Sequence, residues 1–219
     1  MSGKALTIDV VSDVACPWCY VGKARLAAAL DLLGDEIAVD VNWRPYQLDP
    51  TLPKSGKDRT QYMVDKFGSL ERIAQAHNTL ASIGKEIGID FNFEAIKVSP
   101  NTLDAHRLIR WAGSQGPERQ MAMVSALFEA FWEKGLNIGD DAVLVALATE
   151  AGLDPEIVRP LIAGDADRAE VRQDVETAQR MGITGVPCFI LDGKYAVMGA
   201  QDVDALVDAI RNVAANRVD

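Results

Sequence analysis

The chain has 219 residues, 48% of them apolar and 25% charged, enough to bury a substantial core without disulfide support. A net charge of −10 argues against the clustered Lys and Arg surface that holds nucleic acid or anionic membrane. The longest continuous apolar run, residues 142–148, falls far short of the ~20 needed to cross a bilayer, so neither nucleic acid nor membrane is an expected partner.

At the N-terminus, Asp9 and Asp13 interrupt anything resembling the apolar centre of a signal peptide, and the cytoplasm is the expected location. Leu6, Ile8 and Val10 alternate with Thr7 and Asp9 as a strand does, ending at the small residues before Cys16. Pro17 suits the first turn of a helix, whose apolar face carries Leu26, Leu30 and Leu33 before Gly34 stops it. Ile37, Val39, Val41 and Trp43 alternate again, completing a strand, helix, strand unit whose length fits a right-handed parallel crossover.

From about residue 58 to 181 the period is helical almost throughout. Breaks at Gly84 and Gly88, Ser99-Pro100, Gly116-Pro117, Gly135 to Gly139, Asp154-Pro155 and Gly164 predict about six helices. After Gly182, residues 187–191, the Asp192-Gly193 dipeptide and residues 195–198 predict a hairpin with a type I′ turn. A last helix from Asp202 to about Val213 carries Val203, Leu206, Val207 and Ile210 on one face. The expected organisation is a sheet-based domain at 1–57 and 182–219, interrupted by a helical insertion at 58–181.

The chemistry concentrates at Cys16-Pro17-Trp18-Cys19. In a reducing compartment such a pair is more often catalytic or metal-binding than structural. A zinc site needs two further ligands, and Cys188, His77 and His106 offer no second paired spacing, so no metal is expected. Two unreactive core thiols are the plainer alternative. Cys16 falls at a helix N-terminus, however, where unpaired N–H groups and the macrodipole favour a thiolate, and Cys19 lies one turn further on. That placement makes Cys16 the nucleophile and Cys19 the resolving thiol, an exposed activated pair.

Three segments carry a resemblance: Ser-Asp-Val-Ala-Cys-Pro-Trp-Cys-Tyr-Val-Gly-Lys from Ser12, Pro-Asn-Thr-Leu-Asp-Ala-His-Arg-Leu from Pro100, and Gly-Ile-Thr-Gly-Val-Pro from Gly182. Together they resemble the DsbA-like branch of the thioredoxin superfamily, and within it the FrnE-like oxidoreductases. The resemblance implies an α/β, thioredoxin-like fold with a large all-helical insertion and a cis Pro187 facing the cysteines. It also implies that the Val186 backbone pairs with the substrate chain. Pro17 tunes the pair, and Trp18 is expected as an exposed recognition surface or as a lid over Cys19. His106 is expected on an exposed helix face on base rates, whereas the resemblance places residues 101–107, His106 included, along the active-site groove.

Two departures from the family pattern stand out. Cys188 follows Pro187 where relatives carry an apolar residue; it is either a buried core thiol or an accessory thiol in exchange. The buried acid that thioredoxins hold six positions before the first cysteine is Val10 here, leaving Asp13, then Asp9, or water as proton acceptor, with a solvated or turn-capping role the plainer reading of Asp13.

The expected function is thiol–disulfide exchange on protein or small-molecule disulfides and thiols, with no tightly bound cofactor. The alternative is a glutathione-dependent isomerase or transferase, since kappa-class glutathione transferases and 2-hydroxychromene-2-carboxylate isomerases share the implied fold. Those relatives typically carry serine where this chain has Cys16, but glutathione near Val186 and Pro187 stays a candidate co-substrate. A non-catalytic partner-binding protein is the third reading, and monomer and homodimer are both open.

Overall fold

A computed structural model describes residues 5–217. Strand β1 (Leu6–Ser12), helix α1 (Pro17–Leu33) and strand β2 (Val39–Pro45) form the first unit, with β1 and β2 parallel as expected. A two-residue antiparallel bridge, β3 (Lys57–Asp58) with β4 (Val98–Ser99), closes around α2 (Arg59–Phe67) and α3 (Leu70–Ile87). Helices α4 (Leu103–Gly113), α5 (Pro117–Trp132), α6 (Asp141–Glu150), α7 (Pro155–Ala163) and α8 (Arg168–Arg180) follow. The chain returns as the hairpin β5 (Cys188–Leu191) and β6 (Tyr195–Met198), then α9 (Val203–Ala215). The main sheet has the order β2-β1-β5-β6, so the two ends of the chain share one sheet and the helices are inserted between β2 and β5. This is a thioredoxin-like α/β fold with a helical insertion.

The insertion differs from its sequence reading in three places. Among the described residues it has seven helices rather than about six, because Gly68 in a left-handed conformation ends α2 and the Ser69 hydroxyl caps α3 by accepting from the Arg72 N–H. Gly84, expected as a break, lies inside α3. A Cβ there would sit 2.6 Å from the carbonyl oxygen of Ile89, so the residue is small for packing rather than for turning. Helix α4 begins at Leu103, not at Ser99-Pro100, because the Asn101 side chain accepts from the Leu103 N–H and holds the preceding residues in a turn.

Strand alternation divides the sheet into two faces. Leu6, Ile8 and Val10 join Phe189 and Leu191 in the main core, with Leu26, Ala29 and Leu33 of α1 and Leu206, Val207 and Ile210 of α9. The same core runs without a break into the insertion through Leu108, Phe128, Phe131 and Trp132. The opposite face carries a smaller cluster of Val11, Tyr46, Ala178, Ile183, Cys188 and Ile190. The hairpin turn is as expected: Asp192 and Gly193 both have positive φ, at 50° and 67°.

Candidate functional site

Cys16 is the N-cap of α1 and Pro17 its first residue, so the thiol sits where the first helical N–H groups lack backbone partners. Its own carbonyl starts the helix, accepting from the Cys19 N–H at 3.0 Å. One turn along, Cys19 is buried at 1% exposure within hydrogen-bonding reach of Cys16. Cys16 is not the exposed thiol expected: at 5% exposure it is reached through a cavity of about 300 Å³ between α1 and the helices α2 and α3. Trp18, 40% exposed, stands at the same cavity.

The second constellation comes from the other end of the chain. The Val186–Pro187 peptide bond is cis, and the Cys16 thiol lies 3.6 Å from the Val186 carbonyl oxygen. Gly22 makes this approach feasible, since a Cβ at that position would fall 2.8 Å from Cγ of Pro187 and 3.2 Å from Phe189. The fold therefore gathers Cys16, Pro17, Trp18, Cys19, Val186 and Pro187 at one place, although about 170 residues separate the two segments.

Burial, followed by the hydrogen bond and charge of Cys16, pushes the Cys19 thiol well above its ordinary value of 9.0, while the Ser12 side chain opposes the shift. A raised value keeps Cys19 protonated at neutral pH and frees its thiolate only as pH rises. In the reduced protein at pH 7, a short iodoacetamide pulse should therefore label Cys16 before Cys19, with the gap narrowing toward alkaline pH. Peptide mapping reads the order, and equal labelling at pH 7 would contradict this account.

His106 is not on an exposed face. It is buried at 3% exposure, and its Nε2 lies 3.5 Å from Oδ1 of Asp13 without forming a hydrogen bond. It does not border the cavity at Cys16, although Pro100 and Thr102 of the same segment do. Helix α4 is buried from Leu103 to Ile109, and His106 borders instead a separate cavity beside β2, with Trp43, Ile109 and Gln120. Asp13 is likewise buried rather than solvated, but it does cap a turn: its carboxylate accepts from the N–H groups of Ala15 and Leu48, at 3.2 and 2.8 Å. Asp9 is held by Arg44 at 2.8 Å on the neighbouring strand. Cys188 sits in the small cluster on the far face of the sheet, where burial pushes its thiol up.

Several residues around the cysteines escaped the sequence reading. Nε1 of Trp132 donates to the Val14 carbonyl at 2.9 Å, tying α5 to the loop before Cys16. Arg59 and His77 border the cavity from α2 and α3. No local motif marks them, because they meet Cys16 only once the insertion has folded back over α1. Among the described residues, no group of three or more His, Cys, Asp or Glu side chains could hold a metal ion, and no helix is long and apolar enough to cross a membrane.

Comparison with known proteins places this geometry. The chain is 28% identical over 204 residues to the uncharacterized protein YwbO of Bacillus subtilis, covering 93% of this chain and 94% of that one. The structure of a probable DsbA oxidoreductase from Streptomyces coelicolor superposes with a TM-score of 0.89 at 34% identity, over 98% of this chain and 92% of that one. A 2-hydroxychromene-2-carboxylate isomerase shares the fold alone, with a TM-score of 0.73 at 15% identity over 95% and 96% of the two chains. The family model described as a DSBA-like thioredoxin domain matches residues 7–211, essentially the span that builds the sheet, the insertion and both halves of the cysteine site, and the chain belongs to that family.

Proposed function

We propose that the protein is a thiol–disulfide oxidoreductase in which Cys16 attacks the substrate disulfide and Cys19 resolves the mixed disulfide. The observation that carries this reading is the placement of the Cys16 thiol at the N-cap of α1, 3.6 Å from the Val186 carbonyl and one turn from Cys19. An incoming substrate strand takes the Val186 backbone as its partner, which brings its sulfur over Cys16. The mixed disulfide removes the Cys16 charge that opposes ionisation of Cys19, so the first step eases the second. Trp18 supplies an exposed aromatic contact beside the reacting sulfur.

The substrates in this reading are protein or small-molecule disulfides and thiols, handled in the cytoplasm by a FrnE-like member of the family. Retention of both cysteines favours exchange over the kappa-class glutathione-dependent chemistry. The test is a trap. A Cys19→Ala variant incubated with a disulfide-bonded peptide should accumulate a mixed disulfide that mass spectrometry maps to Cys16. Adduct at Cys188, or no adduct, would defeat the proposal.

A further inference from the structure

The cavity at Cys16 is bordered by a half-buried cation that, among the described residues, has no anion to meet it. Arg59 opens α2, where the helix dipole disfavours positive charge, and the Asp58 carboxylate beside it is occupied in capping the helix through the Gln61 N–H. Among the described residues Arg59 forms no ion pair. Its guanidinium lies 5.7 Å over the Trp132 ring and makes only a 3.4 Å contact to the Ser99 hydroxyl. Burial lowers its pKa to about 10, a sign that the charge is poorly compensated.

A polar atom at the same cavity is without a partner. Nε2 of His77 is buried with no hydrogen bond, and the ring stacks on Phe93 at 3.9 Å, with Phe93 set edge-on to Trp132. Burial and the Arg59 charge push His77 down, leaving a neutral imidazole at pH 7. The acids at the cavity are already engaged, Asp13 by the Ala15 and Leu48 N–H groups and Asp49 by Thr51. Lys66 is turned to the Tyr62 hydroxyl at 3.1 Å. What is left is an aromatic slot in which Arg59 lacks an anion and His77 Nε2 lacks a partner, with Cys16 on its border, at about 300 Å³ the size of a small-ligand pocket.

We propose that this cavity selects small disulfides bearing a carboxylate on an aromatic or otherwise apolar body, the carboxylate held by Arg59 and His77 and the sulfur presented to Cys16. This rests on the oxidoreductase reading for its chemistry but not for its binding. In the reaction, the Cys16 thiolate forms a bond to one substrate sulfur, the substrate S–S bond breaks and one thiolate leaves. Cys19 then loses its proton to solvent and attacks the Cys16 sulfur, releasing the second thiolate. The substrate disulfide gains two electrons and the protein dithiol loses two.

The experiment compares rates of the reduced protein with dithiobis(nitrobenzoate), which carries aryl carboxylates, and with neutral dithiodipyridine. In Arg59→Gln the carboxylate-to-neutral rate ratio should fall at least ~10-fold, as expected for loss of a hydrogen bond to a charged group, and Arg59→Lys should recover part of it. Calorimetric binding of naphthoate to Cys16→Ser, with and without Arg59→Gln, measures recognition without exchange, and should weaken by a similar factor. A rate ratio within twofold of wild type, or naphthoate binding indifferent to Arg59, overturns the proposal. If neither disulfide reacts with Cys16, the oxidoreductase reading fails and the naphthoate arm alone decides the cavity.

Discussion

Cys16→Ser should reduce disulfide exchange to the uncatalysed rate, whereas Cys188→Ala should exchange within about twofold of wild type. A serine hydroxyl is not a nucleophile toward disulfide sulfur, and no other thiol shares the position of Cys16 at the N-cap of α1. Cys188 follows Pro187 directly, yet alternation along β5 turns it to the face opposite Phe189, into the cluster with Val11 and Ile190. Its loss should therefore appear as destabilisation of about 1 kcal/mol from a small cavity, not as lost chemistry. Stopped-flow exchange with a disulfide peptide and urea unfolding measure the two effects separately. A Cys188→Ala variant slowed tenfold or more would show that this thiol takes part after all.

The largest stability effect is expected at Arg107, which is fully buried in α4. Its guanidinium pairs with Asp104 at 2.8 Å and stands 4.9 Å over the Trp111 ring. It also donates to the carbonyls of Leu161, Ile162, Gly164 and Ala166 at the C-terminal end of α7 and the turn that follows. Those carbonyls belong to a helix end that has no further backbone donors, so one side chain caps α7 and fastens it to α4. Arg107→Met would leave Asp104 with Arg168 at 2.9 Å and Lys54 at 3.9 Å, and strand several carbonyls in the interior. A loss of about 3–5 kcal/mol is expected, of the order measured when a buried ion pair is broken from one side. Arg107→Lys should recover little, because a point charge cannot reach the same set of acceptors. Denaturation midpoints check this, and a loss under about 1 kcal/mol would contradict the assigned role.

The parts of the fold that could be read from the sequence are those where local pattern and tertiary role coincide. Period-two alternation at Leu6, Ile8 and Val10 marked β1, and Pro17 and Gly34 marked both ends of α1. Asp192-Gly193 fixed the hairpin, and the family motif anticipated the cis bond at Pro187. Where residues serve long-range packing, local signals misled. Gly84 resembles a helix stop but permits close contact with Ile89. His106 and Arg107 look like polar residues for a groove or a surface, but α4 is buried from Leu103 to Ile109, and their polar groups face Asp13 and the α7 carbonyls instead. Arg59 carried no signal, and His77 was weighed only as a zinc ligand without a paired spacing, since their significance comes from which groups they lack.

The most direct test is a redox titration in glutathione buffers, with quenching by alkylation and mass-spectrometric counting of the three thiols. A single reversible two-electron transition is expected, in which Cys16 and Cys19 lose and regain their thiols together while Cys188 stays reduced throughout. Persistence of both Cys16 and Cys19 as thiols across the titration, or a bond from either to Cys188, would contradict the account.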